Sequence, residues 1–147
     1  MDAHPPPGPD RNPWPPRDHV TGLATRAEFE TWLGAGCSAD TALALCDVIG
    51  LKKVNESTGF RHGDGLLRRA AERLRDAAGD AVIVARLGGD ELVAVFAGSG
   101  AVGRATEVAQ RLRAPGDPPL RCVAGVVREA EEPWVAIERL YASLRSC

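Results

Sequence analysis

Apolar and polar residues along this chain follow two rhythms, one at helical spacing and one of unbroken apolar runs, and the switches between them mark the elements. TRAEFETWLGAG reads as a helix with Thr25 as its N-cap, Phe29 and Trp32 on one face, and glycines beyond its end. TALALCDVIG is a continuous apolar run followed by turn chemistry, which predicts a buried strand. In HGDGLLRRAAERLRDAAGD, Leu66, Leu67, Ala70 and Leu74 recur at helical spacing before a glycine stop. DAVIVARL and ELVAVFAG are strand-like runs joined across Gly88 and Gly89. GAVGRATEVAQRLRAP is helical and closed by Pro115, and PLRCVAGVVRE is a further strand. EEPWVAIERLYASLRS is a last helix with Pro133 in its first turn. The order helix, strand, helix, hairpin, helix, strand, helix predicts an α/β sandwich, with helices layered over a central mixed β-sheet.

Residues 1–17 have neither rhythm and hold seven of the eleven prolines. They read as a disordered or polyproline II tail ahead of a domain at 18–147. The tail is either a passive extension or a docking peptide for a protein partner. With 147 residues, 44% hydrophobic and 26% charged, the rest is long enough to bury its own core. A net charge of -2 supplies no basic field for DNA or RNA, and no apolar span or signal peptide points to a membrane. Cys37, Cys46, Cys122 and Cys147 show no C-x-x-C spacing, so a reduced, cytoplasmic protein is expected.

Candidate chemistry starts at the hairpin. A Gly-Gly turn suits the positive φ values that tight hairpins demand. Asp90 and Glu91 follow it at the start of an otherwise apolar strand, and adjacent strand residues face opposite ways. Asp47 likewise ends the apolar run TALALCD. Two carboxylates at strand ends in one sheet can hold a hard divalent cation whose shell is completed by substrate phosphates. After Asp47, Val48, Ile49, Gly50 and Leu51 can turn backbone N–H groups toward an anion, with Lys52 and Lys53, the chain's two lysines, just beyond. Asn55 and Asp64 carry the amide and carboxylate that match the N–H donors of guanine. Taken singly, each of these residues reads as solvated surface; their order is what argues.

Taken together the segments resemble the GGDEF domain, the diguanylate cyclase family. DHVTGLATR is similar to its opening D-x-L-T-G-L-x-N-R motif, and LALCDVIGLKKVNESTGFRHGDG to its D-x-D-x-F-K-x-x-N-D-x-x-G-H-x-x-G-D block. VARLGGDELVAVF is similar to the signature hairpin, and VAGVV and AIERLYASLR to the closing strand and helix. The resemblance implies a nucleotide-cyclase palm-like fold. It also implies GTP as substrate, and a homodimer in which each 3′-hydroxyl attacks the other GTP's α-phosphate to give cyclic di-GMP and pyrophosphate. Carried over by position, Asp47, Asp90 and the Val48 carbonyl would hold two Mg²⁺ or Mn²⁺ per site. Glu91 would be a further ligand or assist the hydroxyl. Gly50, Leu51, Lys52, Gly88 and Gly89 would lie along the nucleotide, and Asn55 and Asp64 would read guanine.

Several positions depart from the family pattern. Ile49, Leu51, Glu56, Phe60, Thr25 and Leu92 replace other residue types, and Gly79-Asp80-Ala81-Val82 stands where many members carry an inhibitory Arg-x-x-Asp, so feedback inhibition is not expected. Leu144 stands where the family has a phosphate-binding lysine, and the Gly-Arg that would follow is absent, which reads as a short, free-standing version. Arg145 is adjacent, about 100° round the helix. This predicts that Leu144→Lys raises turnover. It also keeps two other functions open: a GGDEF domain that binds GTP or a protein partner with little catalysis, and a cyclase with a different product.

Overall fold

The computed structural model describes residues 17–34, 40–128 and 131–146; the proline-rich segment 1–16, Cys37 and Cys147 lie outside them. The elements run α1 (Arg26–Gly34), β1 (Thr41–Val48), α2 (Leu51–Thr58), α3 (Phe60–Ala78), β2 (Ile83–Arg86), β3 (Glu91–Ala97), α4 (Ala101–Arg113), β4 (Leu120–Val126) and α5 (Pro133–Arg145). Each segment expected from the pattern is present. Thr25 caps α1, its hydroxyl accepting the Glu28 N–H at 3.2 Å. One helix was not in the expected order: α2 precedes the segment from His62 that the pattern assigned to a helix. The chain between Gly50 and Gly79 forms two helices, α2 and α3, parted at Gly59, whose φ of 92° turns the backbone out of the helical region.

The sheet has the order β2-β3-β1-β4, and its ladders are antiparallel. The expected mixed sheet is therefore corrected: among the described residues, parallel pairing is confined to an isolated bridge between Ala24 and Ala85. The reason is connectivity. The β2–β3 hairpin inserts β3 beside β1, and β4 returns on the other flank of β1, so every neighbour runs against it. β1 is central and buried on both faces from Thr41 to Cys46, which is why it reads as a continuous rather than alternating apolar run.

Two cores result, one on each face. Ala42, Ala44, Cys46, Leu92 and Phe96 meet α3 and α4 through Leu67, Leu74, Val108 and Leu112. On the other face Leu43, Leu45, Val93 and Val95 meet α1 and α5 through Phe29, Ile137, Leu140 and Leu144. Phe29 and Trp134 pack edge to face at 6.0 Å, joining those two helices. Among the described residues no helix is long and apolar enough to cross a membrane.

Candidate active site

Backbone register sets the site. β1 and β3 pair Asp47 with Glu91, β1 and β4 pair Asp47 with Arg121, and the Val48 N–H donates to the Asp90 carbonyl at 2.9 Å. Asp47 and Asp90 are thereby held side by side at one end of the sheet. With Val48, Gly50, Leu51, Lys52, Lys53, Glu56 and Arg121 they line a pocket of about 350 Å³. The amino end of α2 opens onto it. Gly50 turns the chain into that helix with φ 82°, a left-handed value that a side chain would oppose.

The electrostatics of the pair are unresolved within the protein. Burial first, then the hydrogen bond and charge of Asp90, with Glu91 adding, push the Asp47 carboxyl up to about 7 against the pull of Arg121. Arg121 Nη1 approaches Asp47 Oδ2 at 3.3 Å, while Asp47 Oδ1 is buried and accepts from no N–H or hydroxyl; the bond to Asp90 exists only when the pair carries a proton. An orphaned buried carboxylate oxygen beside a second carboxylate is a place where a cation lowers the energy. The hard oxygen donors suit Mg²⁺ or Mn²⁺. Among the described residues no three His, Cys, Asp or Glu side chains converge as a metal cage, so the residues that could hold such an ion are two carboxylates plus backbone, the rest of its shell coming from elsewhere.

Glu91 stands opposite Asp47 on β3, near enough for its charge to act on that carboxyl, but its side chain turns away. It is not in the pocket wall; its carboxylate folds under the turn and meets Tyr141 of α5, whose phenol is raised by burial and then by the charge and hydrogen bond of Glu91. This explains Gly88. Neither Gly88 nor Gly89 has the positive φ expected of them. A Cβ at Gly88 would instead clash with Glu91 Oε1, whereas one at Gly89 would meet nothing within 4 Å. At Gly88 the space a side chain would take is occupied by the end of Glu91.

Asn55 and Asp64 come from the facing helices α2 and α3. Asn55 Oδ1 is buried without a partner and lies over Gly63, where an added Cβ would overlap it. Asp64 is the next residue of α3 and half-buried. Neither lines the 350 Å³ pocket; they stand one helical turn beyond Leu51. At the end of α5, Leu144 is 3% exposed in the core, and Arg145 is exposed and absent from the pocket wall. The expectation that a lysine at 144 would meet phosphate does not fit this position, because its side chain points between sheet and helix.

Two arginines had escaped notice. Arg86 donates to the carbonyls of Gly88 at 3.1 Å and Gly89 at 3.0 Å, and to Asp18 Oδ1 at 3.1 Å. It thus ties the Gly-Gly turn to the opening motif. Burial raises the Asp18 pKa, but hydrogen bonds from the Thr21 N–H and hydroxyl and the Arg86 guanidinium outweigh it and hold the carboxyl below its ordinary value. The signal for Arg86 was its place two residues before the glycines. Arg121 became visible only when β4 was placed in register opposite Asp47.

The sequence profile described as "Diguanylate cyclase, GGDEF domain" matches residues 16–121. The fold is that of the GGDEF domain of DgcB from Caulobacter crescentus in complex with c-di-GMP, at TM-score 0.73 and 23% identity over 88% of each chain. Among curated relatives, the probable diguanylate cyclase DgcE of Escherichia coli is 38% identical over 80 residues, 50% of this chain and 7% of that protein. The cyclic di-GMP phosphodiesterase PdeB of Shewanella oneidensis is 37% identical over 76 residues, 50% of this chain and 9% of that protein. The chain thus spans about a tenth or less of the length of these relatives.

Proposed function

Because this chain belongs to the GGDEF domain family, we propose that it binds GTP at the Asp47–Asp90 pocket and, facing a second copy, condenses two GTP molecules into cyclic di-GMP and two pyrophosphates. The observation that carries the reading is the buried, unpartnered Asp47 Oδ1 beside Asp90 at the mouth of an opening helix. A site of that construction demands a cation and offers N–H groups to an anion, which is what a metal–triphosphate complex brings.

Asp47, Asp90 and the Val48 carbonyl would hold Mg²⁺, which when bound neutralises triphosphate charge and polarises the attacking oxygen. The N–H groups at the amino end of α2, with Lys52 and Lys53, receive phosphate oxygens. Asn55, whose buried Oδ1 lacks a partner, and Asp64 receive the base edge, the carboxylate accepting from guanine's N–H donors. Glu91 acts through position: under Gly88 and against Tyr141, it fixes the shape of the turn that presents Asp90. In the reaction the 3′-hydroxyl oxygen of one GTP bonds to the α-phosphorus of the other and pyrophosphate leaves, twice. Positioning and charge supply most of such a rate enhancement.

A second reading is favoured by one observation. The end of α5 brings no cation to the pocket, because Leu144 is buried and Arg145 lies outside the pocket wall. A domain that binds GTP and signals to a partner with little turnover is consistent with this. Incubation of the full chain with GTP or ATP and Mg²⁺ or Mn²⁺, with products identified by mass spectrometry, separates the two. Cyclic di-GMP from GTP that vanishes in Asp90→Ala supports the cyclase. Saturable GTP binding with no product supports the binding domain, and no binding of either nucleotide removes both readings.

A further inference from the structure

We propose that Arg121 is a two-position cation, paired with Asp47 in the structure described here and turned onto the nucleotide's phosphates when a divalent cation engages Asp47. It thereby supplies from β4 the positive charge that α5 does not bring. The proposal rests on the GTP reading of the pocket.

Three observations carry it. Arg121 stands directly opposite Asp47 on the neighbouring strand, so both side chains rise from the same face of the sheet into the same pocket wall. Their contact is weak for a charged pair. A single guanidinium nitrogen approaches one carboxylate oxygen at 3.3 Å, where a good charge-assisted bond is nearer about 2.8 Å. The Arg121 side chain is 42% exposed while Asp47 is 19% exposed, so the arginine reaches solvent and the carboxylate is mostly enclosed.

Other arginines of the described chain have different tasks. Arg86 holds the turn, Arg73 the Pro118 carbonyl, Arg113 the Cys122 carbonyl and Arg139 Glu131. Arg121 lies in the same wall as the α2 amino end and the two lysines. A planar guanidinium matches two phosphate oxygens at once, and a neighbouring strand holds its root still. Its present partner is also the residue that a cation would claim. Metal binding at Asp47 therefore frees the guanidinium at the moment negative phosphate arrives.

The exchange predicts effects of opposite sign. Removing the charge takes a competitor away from Asp47 and a clamp away from the nucleotide. In the purified full chain, R121Q should bind Mn²⁺ alone about three- to tenfold more tightly, read by the loss of the free-ion electron paramagnetic resonance signal. The same variant should bind a non-cleavable methylene-bridged GTP analogue with Mg²⁺ at least about tenfold more weakly by calorimetry, the loss of a charged hydrogen bond. R121K, which keeps the charge but not the fork, should fall between wild type and R121Q for the nucleotide and stay near wild type for Mn²⁺. If R121Q does not fold, R121K carries the test, and unchanged nucleotide affinity in it overturns the clamp. Normal binding of the analogue by a folded R121Q overturns the proposal and leaves the GTP reading standing. Equal weakening of both ligands overturns it too, since that marks a merely structural residue. A wild-type chain that binds neither Mn²⁺ nor the analogue removes the GTP reading and this proposal together.

Discussion

Leu144→Lys separates two accounts of the end of α5. By alignment with the family pattern the substitution restores a phosphate-binding cation and raises turnover. By position it places an ammonium where a leucine is 3% exposed, among Leu43, Leu45, Ile137 and Leu140. The burial lost is that of a nearly complete leucine side chain, about 2–3 kcal/mol, and the misfit left behind adds to it, as in large-to-small core changes that cost about 2–5 kcal/mol. Part of the charge penalty is relieved because position 144 is in the last turn, where a lysine stem can lie along apolar surface and its head reach water near the helix carbonyls. A net loss of about 3–4 kcal/mol is expected, or about 10 °C in melting temperature for a domain of this size. Urea unfolding at several pH values reads it directly. A lysine held in an apolar site binds its proton less well folded than unfolded, so ΔG of unfolding rises with pH as the pH climbs toward the unfolded value of about 10.4. The variant should therefore recover part of its deficit between pH 7 and pH 10, whereas Leu144→Ala should not. A variant as stable as wild type within about 0.5 kcal/mol, and faster with GTP, would refute the buried placement and restore the phosphate-facing one.

Asp47→Asn should stabilise the metal-free chain. The Asp47 carboxyl sits at about 7 in the fold against an ordinary 3.8, so the folded state binds the extra proton and stability falls as pH rises from about 4 to 7. The variant should gain about 1–2 kcal/mol above pH 7 after solvent screening, gain nothing below about pH 4, and lack the stabilisation by Mg²⁺ expected of wild type in thermal melts. Gly63→Ala should cost about 1–3 kcal/mol in urea, because its methyl overlaps Asn55 Oδ1 and forces that side chain out of the α2–α3 contact; an unchanged midpoint would place Asn55 elsewhere. Arg86→Gln removes donors to Gly88, Gly89 and Asp18 and should cost about 2–3 kcal/mol, with faster amide exchange at the turn; unaltered exchange would mean the turn holds itself.

The fold was legible where burial imposes a period. β1, β3 and α3 announce themselves because each must hide a continuous face, and the site's acids stood out as interruptions of apolar runs. Strand direction was not legible, since a buried antiparallel strand flanked by helices has the same composition as a parallel one, and β1 is covered on both faces. α2 was not legible because its eight residues bury only Leu51, too little for an apolar rhythm to show. Position in a motif misled at 144, where a lysine slot of the pattern holds a leucine and the leucine obeys the core. Gly88 was flagged for the right turn and the wrong reason, because a sequence displays a missing side chain without saying what fills the space.

The same limit explains why Arg121 passed unseen while Asp47 did not. A carboxylate at the end of an apolar strand is anomalous on its own strand, but an arginine at the start of β4 is ordinary until the register puts it across from that carboxylate. The site is then a charge arrangement fixed by backbone ladders: two acids forced together by β1 and the Asp90 carbonyl bond, with one loosely held arginine on the far side of Asp47, on β4. The repulsion is sustained by the buried sheet behind it, where neighbouring β1 and β3 residues are fully enclosed. A rigid core beneath an unsatisfied charge pair binds a cation without first reorganising. Substitutions in that core, such as Leu45→Ala, should therefore weaken Mn²⁺ binding through misplacement of Asp47, and restoring global stability with an osmolyte should not recover the affinity.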